Sequence, residues 1–560
     1  MTPSRFFTAE SAGVHQTALL LAFTSIINGI LGLLRDRFLA AEFGASRSLD
    51  IYYAAFRIPD IIFSLSLFFI ASTAFIPLFL ERSNKSHESA QAFFESLVTI
   101  FVGVMAVILV IAYIAMPFII PLTLPGFSAD EVSSTVMLSR IMLLSPLFLG
   151  LSSLISGVIQ SSKRFFAYAI APIFYNLGII IGVVALLPKF GIAGLAYGVV
   201  FGASLHMAVQ IPTLIMIRAF PRPRIKLEAH PFDIIAYSFP RAFALSLNQI
   251  SYLVLTAIAS TLGVGAIAIF NLSFNISLLP LTIIGLSYSI AAFPTMAELV
   301  LKDDKEIFFR QFTNALRHIL FWTIPITMIF IVFRAHIVRL VLGTGAFAWL
   351  DTHLTIASLF IFSFAIVTQS IVTLAVRAYY ALGRIREPLK YNALSFVITI
   401  VSALVGVFSI KDHIIVKQFF AWILHINIED IAGADIEFLV LPLAYTLGSL
   451  ANSIFLMRGI FRLNGKTARR ALGASIKRIA GIGVAMSLAG YATLSFFADT
   501  FLLDTTIAVF MHMSLAGAVS IFVGIALCER MDLQEYKEIK KALSARFFGR
   551  EVLQPETEHL

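Results

Sequence analysis

The chain is 560 residues long, 59% apolar and only 13% charged, with a mean hydropathy of +0.91. Globular domains carry about 25% charged residues, so an ordinary soluble protein is excluded and lipid is the solvent of most of this fold. The single cysteine, Cys528, excludes an intramolecular disulfide and a cysteine-based zinc cluster, and the net charge of +9 acquires meaning only by position.

Apolar stretches of about 20 residues suffice to cross a ~30 Å hydrocarbon core. Fourteen such windows are predicted, near 15–34, 51–80, 93–120, 132–160, 165–187, 191–217, 234–261, 265–299, 312–341, 352–382, 388–410, 438–460, 476–498 and 503–528. The first is read as a span and not as a cleavable signal, because its apolar run is too long and only Arg5 precedes it among basic residues. The long connection 411–437 has an apolar centre, His413 to Leu424, that is too short to span and contains Lys417, which predicts an interfacial or re-entrant helix. From Glu529 the tail is polar and basic, as expected of a solvated helix resting near anionic headgroups. The expected fold class is an all-α polytopic membrane protein of about fourteen transmembrane helices.

Lys and Arg collect in cytoplasmic connections. With both termini placed inside, 29 of the 41 basic residues fall on inside segments, 8 on outside loops and 4 within windows: Arg57, Arg140, Arg241 and Arg377. An internal repeat is also visible. Ala74-Phe75-Ile76-Pro77 with Glu81 is echoed by Ala292-Phe293-Pro294 with Glu298, and Gln160 to Arg164 by Ala381 to Arg386, at similar offsets. Two six-helix lobes are expected, 1–218 and 219–463, the second carrying the insertion near 411–437, followed by two extra helices in 464–528 and the tail 529–560. Duplicated halves with a site between them are a transporter signature.

Charged groups within a bilayer cost several kcal/mol and face aqueous cavities or one another. They concentrate at Arg35-Asp36-Arg37, which is read as the end of the first span, and from Asp50 through Arg57 to Asp60 in the second, where Pro59 should kink the helix. A guanidinium presents paired donors suited to phosphate, and a carboxylate can orient it or accept from sugar hydroxyls. The plain alternatives are that Arg35, Asp36 and Arg37 mark the water interface and that Arg57 pairs with Asp50 or Asp60. Arg140, Arg241 and Arg377 join the candidates, with snorkelling to a helix end as their alternative. The amides Asn248, Gln249, Asn271, Asn275 and Gln369 fit interhelical bridging, and Gly178, Gly182, Gly194, Gly198 and Gly202 form seams for close helix packing. Gly465-Lys466-Thr467 comes nearest to a Walker loop but has Ile460 where the first glycine belongs, and the histidines are scattered, so no catalytic, cofactor or metal site is expected.

Gly32-Leu33-Leu34-Arg35-Asp36, Asp50 to Asp60, Ala74 to Pro77, Gln160 to Phe165 with Ala171-Pro172 and Asn176, and Tyr379 to Gly383 with Pro388 resemble the MurJ/MviN family in matching order. These are lipid II flippases of the multidrug/oligosaccharidyl-lipid/polysaccharide exporter superfamily. The resemblance implies fourteen helices, two lobes around a cationic cavity, and a lipid-tail groove involving the last two helices. It puts Arg35, Asp36 and Asp50 at cavity positions and Arg57 where a basic residue is usual, while arginines of the family pattern fall on Gly29, Phe63 and Asn275 here.

The reading is a bacterial inner-membrane flippase, not an enzyme, that moves a polyprenyl-diphosphate-linked peptidoglycan precursor, lipid II, to the outer leaflet by alternating access. Its substrate-binding residues would be Arg35, Asp36, Asp50, Arg57, Arg241, Asn275 and Arg377. Its partners would be the lipid-linked glycan diphosphate, membrane lipid and a coupling ion, with no nucleic acid and no cofactor. Another lipid-linked oligosaccharide as substrate, a cation-coupled multidrug exporter, and a catalytically silent membrane scaffold for wall-synthesis enzymes are the alternatives.

Overall fold

The computed structural model describes residues 14–67, 72–162, 164–224, 231–412, 418, 436–464, 467–501 and 505–547, and among them there is no strand. The first half of the chain folds into α1 (Val14–Phe43), α2 (Arg47–Ala55), α3 (Arg57–Ser66), α4 (Ser72–Lys85), α5 (His87–Thr123), α6 (Ala129–Met142), α7 (Leu144–Ser161), α8 (Phe166–Ile181) and α9 (Ala193–Ala208). The second half provides α10 (Pro231–Ser260), α11 (Ala266–Pro280), α12 (Ser287–Leu301), α13 (Lys305–Val341), α14 (Trp349–Ala381), α15 (Arg386–Asp412) and α16 (Val440–Asn464). Then follow α17 (Thr467–Phe496), α18 (Thr506–Arg530) and α19 (Gln534–Phe547).

Eleven helical stretches among the described residues are long and apolar enough to cross a membrane, and they coincide with eleven of the predicted windows. Their outward faces carry side chains such as Phe118, Leu122, Phe408 and Phe522, all more than two-thirds exposed, as lipid contact requires. The other three windows fall on α1, on the run α2–α4 and on α10, so the number fourteen stays a sequence-based expectation. The predicted interfacial segment His413 to Leu424 lies almost wholly outside the described residues.

Two sequence expectations change near the site. The helix α1 does not end at Arg35-Asp36-Arg37 but continues to Phe43, so the charged triplet sits inside a helix. The second window is not one long helix. It breaks at Phe56, because Pro59 lacks the N–H that would bond the Ala55 carbonyl. The Ser139 hydroxyl donates to that carbonyl at 3.0 Å instead. The same device recurs at the α6–α7 break, where Pro146 cannot reach Met142 and the Ser145 hydroxyl donates to the Met142 carbonyl at 2.7 Å.

Elsewhere the local signals are conventional. Ser128 and Glu131 form a capping box at the start of α6, and Ser86 caps α5. The glycine seam is real: a methyl group at Gly178 would lie 2.2 Å from the Cα of Gly202, so α8 and α9 meet backbone to backbone. Both α8 and α11 continue through a single π turn, Gly182–Leu186 and Leu281–Leu286, the second ahead of α12. The main core runs through both halves of the chain, with Tyr52, Phe93, Phe101 and Phe362 among its largest buried side chains.

Candidate substrate cavity

A cavity of about 250 Å³ lies where α1, α2, α3 and α8 face α10 and α11. Its charged lining is Arg35, Arg57 and Asp60, its amides are Gln249, Asn271 and Asn275, and its phenols are Tyr52, Tyr53, Tyr175 and Tyr252. Pockets for drug-sized ligands measure about 300–1,000 Å³, so this one admits a head-group fragment and must widen for anything larger.

The charges are held by short-range geometry. Arg35 donates to Asp36 through Nε and Nη2 at 2.9 and 2.7 Å and to the Asn176 side chain at 3.1 Å. Asp36, fully buried, also accepts from Asn275 Nδ2 at 3.0 Å, which ties α1 to α11. Arg57 donates to Asn271 at 2.6 Å, a second tie between the halves of the chain, and its guanidinium lies 5.7 Å from the Tyr252 ring centroid. Tyr252 in turn stacks on Tyr445, whose hydroxyl accepts from Gln369 at 2.9 Å.

Asp50 does not reach the cavity and does not pair with Arg57. Its carboxylate, fully buried, accepts from the backbone N–H groups of Gly265 at 2.7 Å and Ala268 at 2.9 Å. The physical reason is the start of α11: its N-cap is Gly265, with no side chain to satisfy the first orphan donors, and Asp50 supplies the missing cap from another helix. Gly265 is required there, since its φ is +86° and a methyl group would lie 2.3 Å from the Ala45 carbonyl oxygen. Arg47 flanks the clamp, 3.6 Å from Asp50 and 3.0 Å from Glu131. Around it, Ala346 donates to the Ala41 carbonyl at 2.8 Å, Ala45 to Asp351 at 3.0 Å, and Gly126 to the Ser260 hydroxyl at 3.2 Å. Arg37, expected to mark an interface, donates to the Leu340 carbonyl. All of these bonds close one end of the molecule over the cavity.

Of the residues expected at the site, Arg35, Asp36, Arg57 and Asn275 are brought together, and Asp50 belongs to the clamp. Arg377 sits on α14 and is not among the cavity-lining residues. Arg140 points elsewhere, donating to the Tyr113 carbonyl and covering the Tyr113 ring. The side chain of Arg241 lies outside the described residues. Among the described residues the charged lining is Arg35, Arg57 and Asp60, with Asp36 paired to Arg35 behind it. The space beside Gly29 on α1 is taken by Leu279. Helical spacing in the sequence places Tyr53 near the face of Arg57 and Asp60, whereas Tyr52, Tyr175 and Tyr252 look like packing in apolar windows.

A bundle of membrane-crossing helices around a buried polar cavity, shut at one end by bonds between the two halves of the chain, is the build of a multi-pass membrane transporter. A family model described as lipid II flippase MurJ matches residues 39–511, and the chain belongs to that family. It is 26% identical over 377 residues to the lipid II flippase MurJ of Burkholderia cenocepacia, covering 65% of this chain and 73% of that one. To the probable lipid II flippase MurJ of Borreliella burgdorferi it is 24% identical over 393 residues, covering 70% and 77%. Among solved structures, lipid II flippase MurJ in an inward closed conformation superposes with a TM-score of 0.72 at 21% identity over 92% of this chain and 100% of that one. An inward-facing multidrug resistance MATE family transporter of the MOP superfamily gives 0.59 at 12% identity over 82% and 99%. These likenesses establish a shared fold.

Proposed function

We propose that this protein translocates lipid II, a polyprenyl-diphosphate-linked peptidoglycan precursor, from the inner to the outer leaflet of the bacterial inner membrane. The observation that carries the reading is the family match across residues 39–511, which includes every cavity-lining residue except Arg35. Both termini lie in the cytoplasm, as the 29 basic residues on one set of connections favour. The end closed by Asp50 then faces outward, and the head group enters from the cytoplasmic side.

In this mechanism the lobes 1–218 and 219–463 rock against each other and open the cavity to alternate sides, with the polyprenyl tail in lipid along α17 and α18. Arg35 and Arg57 contact the diphosphate, and Asp36 and Asn275 orient Arg35. Opening outward requires the Asp50 bonds to Gly265 and Ala268 to break, together with the Arg57–Asn271 and Asp36–Asn275 ties. Arg241 and Arg377 serve the wider, open cavity. The drive is the membrane potential or an ion gradient, in which each charge crossing 100 mV is worth about 2.3 kcal/mol.

The test is depletion of the resident flippase in a bacterial host, expression of this chain, and measurement of outer-leaflet lipid II. Restored exposure with restored growth is expected. Normal membrane insertion without lipid II exposure, while a different lipid-linked oligosaccharide accumulates in cells lacking this protein, would overturn the substrate assignment.

A further inference from the structure

Two buried polar atoms in the cavity wall have no hydrogen-bond partner among the described residues: the Tyr53 hydroxyl and Arg57 Nε. Their side chains line the same cavity, and both residues are more than nine-tenths buried. They stand four residues apart, and Phe56 between them keeps right-handed helical dihedrals, so the break does not turn them to different faces. Leaving such groups unpaired is costly, more so when charged, and a fold tolerates it where a ligand completes the bonding.

The chemistry of the pair selects the ligand. Arg Nε–H can only donate, so whatever meets it is an acceptor, and a neighbouring phenol meets the same acceptor by donating too. Two unpartnered donors lining one cavity, with the Arg35 guanidinium lining the same space, suit an oxyanion with several lone pairs. The Tyr53 ring packs against Tyr52 at 5.4 Å, and its side chain lines the same cavity as Arg35 and Arg57. Because Asp36 and Asp60 balance much of the cationic charge, neutral donors have to supply part of the anion's hydrogen bonding.

Resting on the flippase reading above, we propose that Tyr53 is a substrate-binding residue, its hydroxyl donating to a phosphate oxygen of the lipid-borne diphosphate alongside Arg57 Nε.

The experiment compares the full chain and its Tyr53→Phe variant in lipid nanodiscs, titrated with undecaprenyl diphosphate, with undecaprenol and with inorganic pyrophosphate. Tyr53→Phe keeps the ring, so its thermal unfolding is expected to match the parent. Binding of undecaprenyl diphosphate should weaken about tenfold, equivalent to ~1.4 kcal/mol, with undecaprenol binding unchanged. Equal affinity of both proteins for undecaprenyl diphosphate overturns this inference and leaves the flippase reading intact. A parent protein that binds undecaprenyl diphosphate no better than undecaprenol, or prefers inorganic pyrophosphate, overturns both.

Discussion

Asp50 on α2 caps the first turn of α11 by accepting from the backbone N–H of Gly265 at 2.7 Å, a bond between residues 215 positions apart. The helix dipole adds to the attraction, since a carboxylate at a helix N-terminus meets partial positive charge. The closed end therefore depends on a charge whose only substitutes would be water molecules admitted by opening. Asp50→Ala is expected to destabilise closure by about 1.5–3 kcal/mol, the range for hydrogen bonds to a charged group. Labelling checks it: Leu262→Cys, buried beside the clamp, should react slowly with an impermeant maleimide and at least about tenfold faster when combined with Asp50→Ala. The native Cys528 is buried and gives little background. Equal labelling rates would remove the clamp from the mechanism.

Arg57 is held by geometry as well as charge, donating to Asn271 through Nη2 while its buried Nε has no partner among the described residues. A lysine keeps the charge but has no planar fork and cannot serve both partners in the same way. Lipid II translocation in proteoliposomes should fall below detection for Arg57→Ala and by about tenfold for Arg57→Lys, a loss of ~1.4 kcal/mol in transition-state stabilisation. Wild-type rates in Arg57→Lys would mean that only net charge matters at this position.

The fold class was legible because hydropathy windows report lipid contact directly, and eleven of them coincide with membrane-length helices. Arg35, Asp36 and Arg57 were legible for the related reason that charge inside a bilayer is too costly to be incidental. What the pattern could not give was pairing across 200 or more residues. Nothing local to Asp50 announces that its partners are backbone amides at Gly265 and Ala268, since amides carry no residue signature. Arg140 and Arg377 looked equivalent to Arg57 in sequence, yet a helix presents several faces and only contact with the opposing half decides which one meets the cavity.

The α8–α9 seam offers a stability test independent of the substrate. A methyl group on Gly198 would sit 2.5 Å from the Gly182 Cα, a backbone atom that cannot move aside as a side chain can. Gly198→Val should lower stability in detergent by about 1–3 kcal/mol or more through overpacking. Gly103→Ala, inside α5 with nothing within 4 Å, should cost nothing and gain up to about 0.5–1 kcal/mol from helix propensity. Thermal unfolding of the two purified variants makes the comparison, and similar losses in both would contradict the seam.

The helix α19, beyond the last span, is held to the bundle by Glu535, which accepts from Arg317 Nε at 2.8 Å and from the Ser475 hydroxyl at 2.5 Å. Burial alone would push its carboxyl up, but the Ser475 hydroxyl, a backbone N–H and the Arg317 guanidinium outweigh that and hold it below the usual range. A carboxyl whose folded pKa is depressed stabilises docking fully above its unfolded value, near 4.5, and that stabilisation is lost as pH falls through the lower folded value. His318 Nε2 lies 2.8 Å from Glu538 on the same helix, a second polar tie between α13 and α19. A spin label at Lys541 should remain immobilised from neutral pH down to about 5 and become mobile only in stronger acid. In Glu535→Gln it should be mobile already at neutral pH, because the neutral amide leaves Arg317 without its counter-charge. A label equally immobile in parent and variant would show that the apolar contacts of Leu533 and Tyr536 with Ile482 and Phe321 hold the helix by themselves.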